Sequence, residues 1–422
     1  MTRTTLLHGT FPRRLLALGA AAGLALTLLP AAPAQAATHQ RVKASFFGMH
    51  DGDPVTWPQT SIGEIRLWDS GVSWREIETA NGVYDFTRLD AQVAAARAHG
   101  SRVLLVLGQT PRFHSTKPGK RGTYGLGAAS MPTKSSWINY VYKVVSRYRG
   151  GGGVDYQVWN EANVSGYWNG SPKQMAKLTL WASRVINKND SAAKVIAPAL
   201  ATRLTGQRAW LRAFYAQRVG GAKVAAKVDV VSLNLYPLPK QAPEASMTLL
   251  SASRTMLSQA GVRKPIWNTE INYGLLGGGS ARNISRAKEA AYVSRTLVLN
   301  ATSNVKGVFW YAWDLQNLAS TQLTASDGVT LTPAGKAYAV TRGWLLGSRT
   351  SPCTRDGRGT YTCTLTYSGG VKRVYWNPSR KATVRAVKSA RASVGLYGVE
   401  KPLSGGEAVG VGKSPVMVRS AK

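Results

Sequence analysis

Two glutamates stand where short apolar segments end. Glu161 follows VDYQVWN (154–160), and Glu270 closes PIWNTE (265–270). A single glutamate in such a place is usually a solvated loop residue. Two carboxyl groups held about 5 to 5.5 Å apart can instead cleave a glycosidic bond with retention of configuration, one as the acid and the other as the nucleophile. This chemistry requires a fold that brings the two remote segments together.

The segments around the two acids belong to a series of eight short apolar, β-branched runs that alternate with amphipathic stretches. This order is typical of a parallel sheet wrapped by helices, and eight units predict a (β/α)8 TIM barrel of the α/β class. The carboxyl ends of the strands meet at one rim, where Glu161 on the fourth strand and Glu270 on the seventh face each other. The predicted strands are 45–49, 64–68, 102–108, 154–159, 194–198, 228–236, 265–270 and 305–313.

The N-terminal segment has the pattern of a cleaved export signal. Arg13 and Arg14 precede an apolar stretch, Leu15 to Leu29, which ends in small residues around APAQAA. We therefore assign residues 1–37 to a signal peptide and expect a secreted protein, extracellular or associated with the cell wall. The paired arginines would also suit the twin-arginine route. No later segment approaches ~20 apolar residues, so no transmembrane anchor is expected.

Beyond residue 346 the sequence changes to short alternating runs separated by Gly, Ser and Pro, which predicts a small antiparallel, β-sandwich-like domain. The predicted domains are thus the barrel, residues 38–345, and an accessory domain, residues 346–422. Cys353 and Cys363 flank TRDGRGTYT, which contains the Asp-Gly signal of a hairpin. In an oxidising compartment a disulfide is favoured over two free thiols.

The chain is strongly basic, with 54 Lys and Arg against 20 Asp and Glu and a formal net charge of +34. The excess is spread along the sequence, and residues 341–422 hold 15 basic residues against three acids. Two interpretations stand side by side: adhesion to an anionic cell surface, or a polyanionic substrate such as an acidic polysaccharide. Nucleic acid is disfavoured as a partner because there is no basic helix or interleaved aromatic platform.

Five motifs in order resemble glycoside hydrolases of clan A, most closely family 39 and its bacterial exopolysaccharide-hydrolase relatives. They are RLWDSGVSWREIETANGVYDF, LGQTPRF, VWNEAN, the overlapping WNEANVSGYWNGSPKQMAKL, and IWNTEINYG. The similarity covers about residues 45–345. The resemblance implies Glu161 as the acid/base and Glu270 as the nucleophile of a double displacement. It also implies that Arg66 pairs with Glu270.

Further residues are predicted to bind substrate. Tyr236 is placed to donate its phenol to Glu270, Asn160 suits the sugar 2-hydroxyl, and Trp310 lies where the clan stacks its sugar. Several of the predicted site residues have a structural alternative: for Arg66 an ordinary ion pair with Asp69 or Glu64, and for Tyr236 and the tryptophans a position in the core. The family commonly has His-x-Tyr at the sixth strand, whereas this chain has NLY. The substrate-binding set is completed by Trp313, by His50 in GMH, and by Asn234 in the place of that histidine.

The sequence leaves two classes of function open: a secreted retaining glycosidase, and a carbohydrate-binding, lectin-like protein that keeps the barrel without turnover. Transglycosylation on the same site is a third possibility. Both carboxylates are present, which favours the enzyme. We expect no cofactor and no metal site, because the five histidines (8, 39, 50, 99 and 114) lack ligand spacing and RGGGGV lacks the Lys and Ser or Thr of a phosphate-binding loop.

Overall fold

The computed structural model describes residues 41–150, 153–274, 284–314 and 321–421, all of which belong to one compact unit, residues 37–422. The predicted signal peptide lies outside the described residues. Within them, no helix has the length and apolar character needed to cross a membrane.

Parallel strands form the centre of the fold. They are β1 (Phe47–His50), β2 (Glu64–Leu67), β3 (Arg102–Leu107), β4 (Val154–Val158), β5 (Val195–Ile196 and Leu200–Ala201), β6 (Val231–Asn234), β7 (Ile266–Ile271) and β8 (Gly307–Trp310). Their order in the sheet is β5-β6-β7-β8-β1-β2-β3-β4-β5, where β5 is interrupted at Pro198 and its two halves pair with β4 and β6. A parallel bridge between Ile196 and Val230 joins β5 to the entry of β6. The result is a (β/α)8-like barrel, as predicted.

Two of the helices begin at side-chain caps. Ser171 and Gln174 form a reciprocal capping box with Pro172 in the first turn, and the Thr332 hydroxyl accepts from the Gly335 amide. These bonds satisfy amides that the first helical turn leaves without a partner. The helices are α1 (Trp74–Ile77), α2 (Thr87–Ala98), α3 (Lys134–Tyr148), α4 (Pro172–Asn189), α5 (Thr205–Tyr215), α6 (Glu244–Gln259), α7 (Arg286–Thr302) and α8 (Pro333–Leu345), with 3-10 turns at Ala44–Phe46, Arg112–His114 and Val224–Lys227.

Loops between these elements carry three short hairpins, and two of them lie on the side of the barrel where the strands end. Glu78–Ala80 pairs with Val83–Tyr84, and Arg121–Gly122 pairs with Gly125–Leu126. The third joins Arg218–Val219 to Ala222–Lys223. The long insertion after β3 supplies part of the wall of the cavity described below.

The C-terminal part is antiparallel β-structure, as predicted. Cys353 and Cys363 form the predicted disulfide, which links the residue before the strand Thr354–Arg355 to its partner strand Tyr361–Tyr367. The segment contacts the helical layer: the Trp376 indole donates to Glu244 Oε1 (2.8 Å) and the Thr350 hydroxyl to the Ala301 carbonyl (3.0 Å). The domain boundary at residue 346 stays a prediction. The strands are β9 (Arg349–Thr350), β10 (Thr354–Arg355), β11 (Tyr361–Tyr367), β12 (Gly370–Trp376), β13 (Ala382–Arg385), β14 (Ala390–Val394), β15 (Glu400–Pro402), β16 (Ala408–Val411) and β17 (Val416–Ser420).

Candidate active site

Glu161 lies just beyond β4, in a backbone held in an unusual conformation. Trp159 and Glu161 both have positive φ, 74° and 44°. Such values are uncommon outside glycine and require support from the surrounding structure. Asn163 supplies it: its side chain donates to the Ala201 carbonyl (2.7 Å) and accepts from the Ala201 amide (2.9 Å). The turn after β4 is therefore tied to β5, and the Glu161 side chain is left half-buried at the strand end.

Glu270 reaches the barrel interior through an irregularity in β7. The register shifts on both sides of this strand, so that Asn234 of β6 pairs with Glu270, and the β8 pairing moves from Asn268 to Ile271. A bulge of this kind breaks the strict alternation of side chains along a strand. Asn268 accordingly points outward, where its amide donates to Asn300 Oδ1 of α7 (3.4 Å), while Thr269 and Glu270 both make contacts inside the barrel.

Arg66 holds the nucleophile candidate from the floor of the site. Its side chain is fully buried and forms a salt bridge to Glu270 Oε2 at 3.0 Å. It also donates to Asn160 Oδ1 and Gln157 Oε1, both at 2.7 Å. Neither of the ion pairs that the sequence left as an alternative, with Asp69 or Glu64, is among its hydrogen-bonded contacts. The three oxygens instead fix the guanidinium beneath both strand ends.

Two side chains from the β6 end contact the two glutamates separately. The Tyr236 hydroxyl donates to Glu270 Oε1 (3.1 Å), as the sequence predicted. The Asn234 amide donates to Glu161 Oε1 (3.2 Å). The asparagine that replaces the family's histidine therefore contacts the acid/base candidate. Each carboxyl group has its own donor, and among the described residues only Glu270 has a direct ion pair.

Both glutamates open into one cavity of about 540 Å³. Its size suits one or a few sugar rings, because small-ligand sites usually measure about 300 to 1,000 Å³. The wall combines aromatic rings, carboxyl groups and amides. The lining residues are Trp68, Asp69, Gly71, Glu76, Gln109, Thr123, Tyr124, Asn160, Glu161, Tyr167, Arg203, Tyr236, Glu270 and Tyr311.

Burial raises the pKa of both glutamates. At Glu161, the hydrogen bond from Asn234 and the positive charges of Arg203 and Arg66 oppose this rise. At Glu270, the charge of Arg66 and the Tyr236 hydroxyl oppose the rise, whereas the charge of Glu161 adds to it. Two carboxyls that interact in this way ionise as a pair. The salt bridge from Arg66 favours the ionised form of Glu270.

Asp69 is a third half-buried carboxyl group of the cavity wall. It accepts from the hydroxyls of Tyr124 (2.5 Å) and Tyr311 (2.8 Å). Burial raises its pKa, and the two phenol donors and Arg66 counter that effect. The two tyrosines are thereby held with their rings in the cavity wall. Sequence reasoning missed them; Asp69 was considered only as a partner for Arg66, although its place beyond β2 was the available signal.

Five of the predicted substrate-binding residues do not line the cavity: Arg66 and Asn234 contact the two glutamates from below its surface, and three others lie away from its wall. Trp310 and Trp313 are buried in the core, with 0% and 1% of their surface exposed, and their rings pack near Tyr273 and Trp57. Their predicted role as sugar platforms in this cavity is not supported, because neither ring has an open face; Trp68, Tyr124, Tyr167 and Tyr311 line the wall instead.

His50, the third of these residues, is fully buried behind Arg66. Its Nε2–H donates to the Thr269 carbonyl at 3.0 Å, and Arg66 Nη1 lies 3.3 Å from the same nitrogen. Burial and the neighbouring guanidinium hold its pKa well below the usual value, so the ring is neutral. His50 therefore supports the floor of the site rather than the cavity surface.

Comparison with known proteins places this architecture in a class. Residues 155–338 match the family model described as glycosyl hydrolase catalytic core. The match confirms the resemblance that the sequence motifs indicated and makes the protein a glycoside hydrolase. No curated protein sequence matches the chain.

Solved structures share the fold at low sequence identity. A GH39 β-xylosidase from Caulobacter crescentus has a TM-score of 0.66 and 18% identity, over 92% of this chain and 98% of that one. The GH39 enzyme from Xanthomonas axonopodis pv. citri has a TM-score of 0.61 and 15% identity, over 91% and 96%. A GH30 endoxylanase from Clostridium papyrosolvens has a TM-score of 0.59 and 14% identity, over 91% and 98%.

Proposed function

We propose that this protein is a secreted, retaining glycoside hydrolase that cleaves O-glycosidic bonds of a polysaccharide or oligosaccharide. The observation that carries the proposal is the unequal environment of two carboxyls in one cavity. Glu270 has an ion pair with Arg66 and a phenol donor, whereas Glu161 has one neutral amide donor. These surroundings suit an ionised nucleophile and a protonated acid, respectively.

In the first step, a Glu270 oxygen attacks the anomeric carbon while Glu161 gives its proton to the departing glycosidic oxygen. The carbon–oxygen bond breaks, and a glycosyl ester of Glu270 forms. Once Glu270 is esterified it loses its charge, so the pKa of Glu161 falls and this group becomes a base. It then takes a proton from water, whose oxygen attacks the anomeric carbon and releases Glu270.

Asn160 would position the sugar at this carbon. Its Oδ1 accepts from Arg66, so the amide NH2 remains as the donor for a sugar hydroxyl. The residue also lines the cavity. A bond from this amide to the 2-hydroxyl would strengthen as positive charge develops on the ring.

The charges of the cavity favour a neutral sugar at the reacting position. Its wall contains four carboxyl side chains, against Arg203 in the wall and Arg66 beneath it. A substrate carboxylate would be repelled by Asp69 and Glu270. Positive charge gathers elsewhere, for example in a cleft of about 630 Å³ where the strands begin, which is lined by Arg41, Lys43, Arg102, Lys194 and Lys306 with Asp229. We assign the excess charge to retention on an anionic wall.

Trapping the covalent intermediate tests the proposal. The purified protein, screened first on 4-nitrophenyl glycosides, is treated with the 2-deoxy-2-fluoro 2,4-dinitrophenyl analogue of the best substrate. We expect one added glycosyl group on the peptide containing Glu270 and none in Glu270→Ala. Glu161→Gln serves as the matched control, because it should still be labelled by this activated compound. Hydrolysis that persists in Glu270→Ala, or a label on another residue, would refute the assignment.

A further inference from the structure

The barrel interior contains a continuous line of polar side chains that connects Arg66 to Glu161. Arg66 Nε donates to Gln157 Oε1 (2.7 Å), and Gln157 Nε2 donates to Ser232 Oγ (2.5 Å). Ser232 Oγ and Thr269 Oγ1 lie 2.6 Å apart, and Thr269 Oγ1 donates to Asn234 Oδ1 (3.0 Å). The Asn234 amide then donates to Glu161 Oε1 (3.2 Å).

The chemistry of its two ends gives this line one direction. A guanidinium only donates, so the Gln157 oxygen must face Arg66 and its NH2 must face Ser232. Because Ser232 accepts that bond, its own hydrogen is free for Thr269. If Thr269 accepts the Ser232 hydrogen, its own hydrogen is left for the Asn234 oxygen, which only accepts. The Asn234 NH2 is thereby turned toward Glu161.

Burial leaves these groups no alternative partners in bulk water. Asn234 is 1% exposed, and the other four residues of the line are 0% exposed: Arg66, Gln157, Ser232 and Thr269. With Asn234 reversed, Thr269 would accept from its NH2 and donate to Ser232, so the Ser232 hydrogen would lose its partner and the Asn234 oxygen would face a Glu161 oxygen. A buried polar group without a partner is costly, which disfavours the reversed amide. The β7 bulge is what allows Thr269 to join this line while the adjacent Glu270 contacts Arg66.

We propose that Ser232 and Thr269 are positioning residues for the reaction: through this one-way line of five hydrogen bonds they hold the Asn234 NH2, rather than its oxygen, against Glu161. The inference rests on the function proposed above. With the NH2 in place, the ionised form of Glu161 is stabilised for the second step, in which this group is the base. With the amide reversed, its oxygen would stabilise only the protonated acid.

Other charged and titratable groups also act on Glu161. Arg203 and Arg66 favour its ionised form, and Asp69 disfavours it. Glu270, Tyr236 and Tyr167 interact with it electrostatically. Substituting Thr269 or Ser232 leaves all of these groups in place, so a change in the titration of Glu161 reports on the hydrogen-bond line.

Thr269→Val tests the inference because valine keeps the β-branched shape and lacks only the hydroxyl. We expect the pKa of Glu161 to rise, so that the basic limb of kcat/KM for a 4-nitrophenyl glycoside moves upward by about half to one pH unit. Below the pKa of Glu161 in the glycosyl-enzyme, hydrolysis of this intermediate should slow by about threefold to tenfold, because a smaller fraction of Glu161 is ionised. Ser232→Ala should give a smaller shift of the same sign. Thr269→Ser, which restores the hydroxyl, should return the wild-type profile.

A direct titration separates this inference from the proposed function. The chain has nine glutamates, and the 13C carboxyl signal of Glu161 is assigned by its loss in Glu161→Gln. The inference predicts that this signal titrates at higher pH in Thr269→Val and at the wild-type pH in Thr269→Ser. If both results are found, the inference stands even for a protein without glycosidase turnover. If Thr269→Val and Ser232→Ala fold but leave the Glu161 titration unchanged, the inference is overturned. Should Thr269→Val not fold, Ser232→Ala decides by the same criterion.

Discussion

Replacing Tyr236 with phenylalanine isolates a single contact of the proposed nucleophile. The Tyr236 hydroxyl donates to Glu270 Oε1 at 3.1 Å, and only 5% of the residue is exposed. Tyr236→Phe keeps the ring, so the variant loses one hydrogen bond to a carboxylate and little else. A hydrogen bond to a charged group contributes about 1.5 to 3 kcal/mol.

The sign of the effect follows from which form of Glu270 the bond stabilises. The hydroxyl favours the ionised carboxylate, so its loss raises the pKa of Glu270. The acid limb of kcat/KM, where Glu270 takes up a proton, should therefore move to higher pH. Since one pH unit corresponds to 1.36 kcal/mol and Arg66 remains in place, we expect a shift of about one unit. Below that limb, kcat/KM should fall about tenfold.

The assay is the pH dependence of kcat/KM for a 4-nitrophenyl glycoside. Tyr215→Phe is the matched control, because Tyr215 is fully buried in α5, its hydroxyl has no hydrogen-bond partner among the described residues, and it lies outside the cavity wall. The control should leave both limbs in place. An acid limb that stays unmoved in Tyr236→Phe, or moves to lower pH, would show that this phenol does not stabilise an ionised Glu270.

Three further predictions follow from other parts of the structure. Glu161→Ala should lower kcat/KM by about 10² to 10⁴ for substrates that need an acid, and azide should restore turnover as a glycosyl azide with retained configuration; no rescue by azide would exclude Glu161 as acid/base. Cys353→Ser with Cys363→Ser should lower the free energy of unfolding by about 2 to 3 kcal/mol in denaturant titrations, because the hairpin loses a cross-link, with kcat/KM unchanged. Burial and the charge of Asp155 raise the pKa of Glu64 to about 8, so stability should fall as the pH rises from about 4.5 through 8. Glu64→Gln should flatten that part of the profile, and an unchanged slope would count against a protonated Glu64.

The positions of the two glutamates and of Arg66 were predictable because they depend on strand ends. Each barrel strand was found as an apolar run, and the carboxyl end of such a strand has one location in this fold. Tyr236 followed from the same rule on β6. The caps at Ser171 and Thr332 depend only on neighbouring residues, a Ser or Thr followed by Pro, so such helix starts are readable from local sequence.

The inner surface of the site was not predictable from local patterns. In the segment WYAW, both tryptophans are buried and Tyr311 lines the cavity, a choice that depends on packing against other strands. The line from Gln157 to Asn234 requires the relative register of β4, β6 and β7 together with the β7 bulge. A single sequence contains no signal for where that bulge falls, because β-bulges arise from pairing between strands.

The configuration of the first product tests the central claim most directly. The protein is mixed with its best 4-nitrophenyl glycoside in an NMR tube, and the anomeric proton of the released sugar is followed before mutarotation. Double displacement through Glu270 predicts that the product first appears with the anomeric configuration of the substrate. A first product of the opposite configuration would contradict the roles given to Glu161 and Glu270.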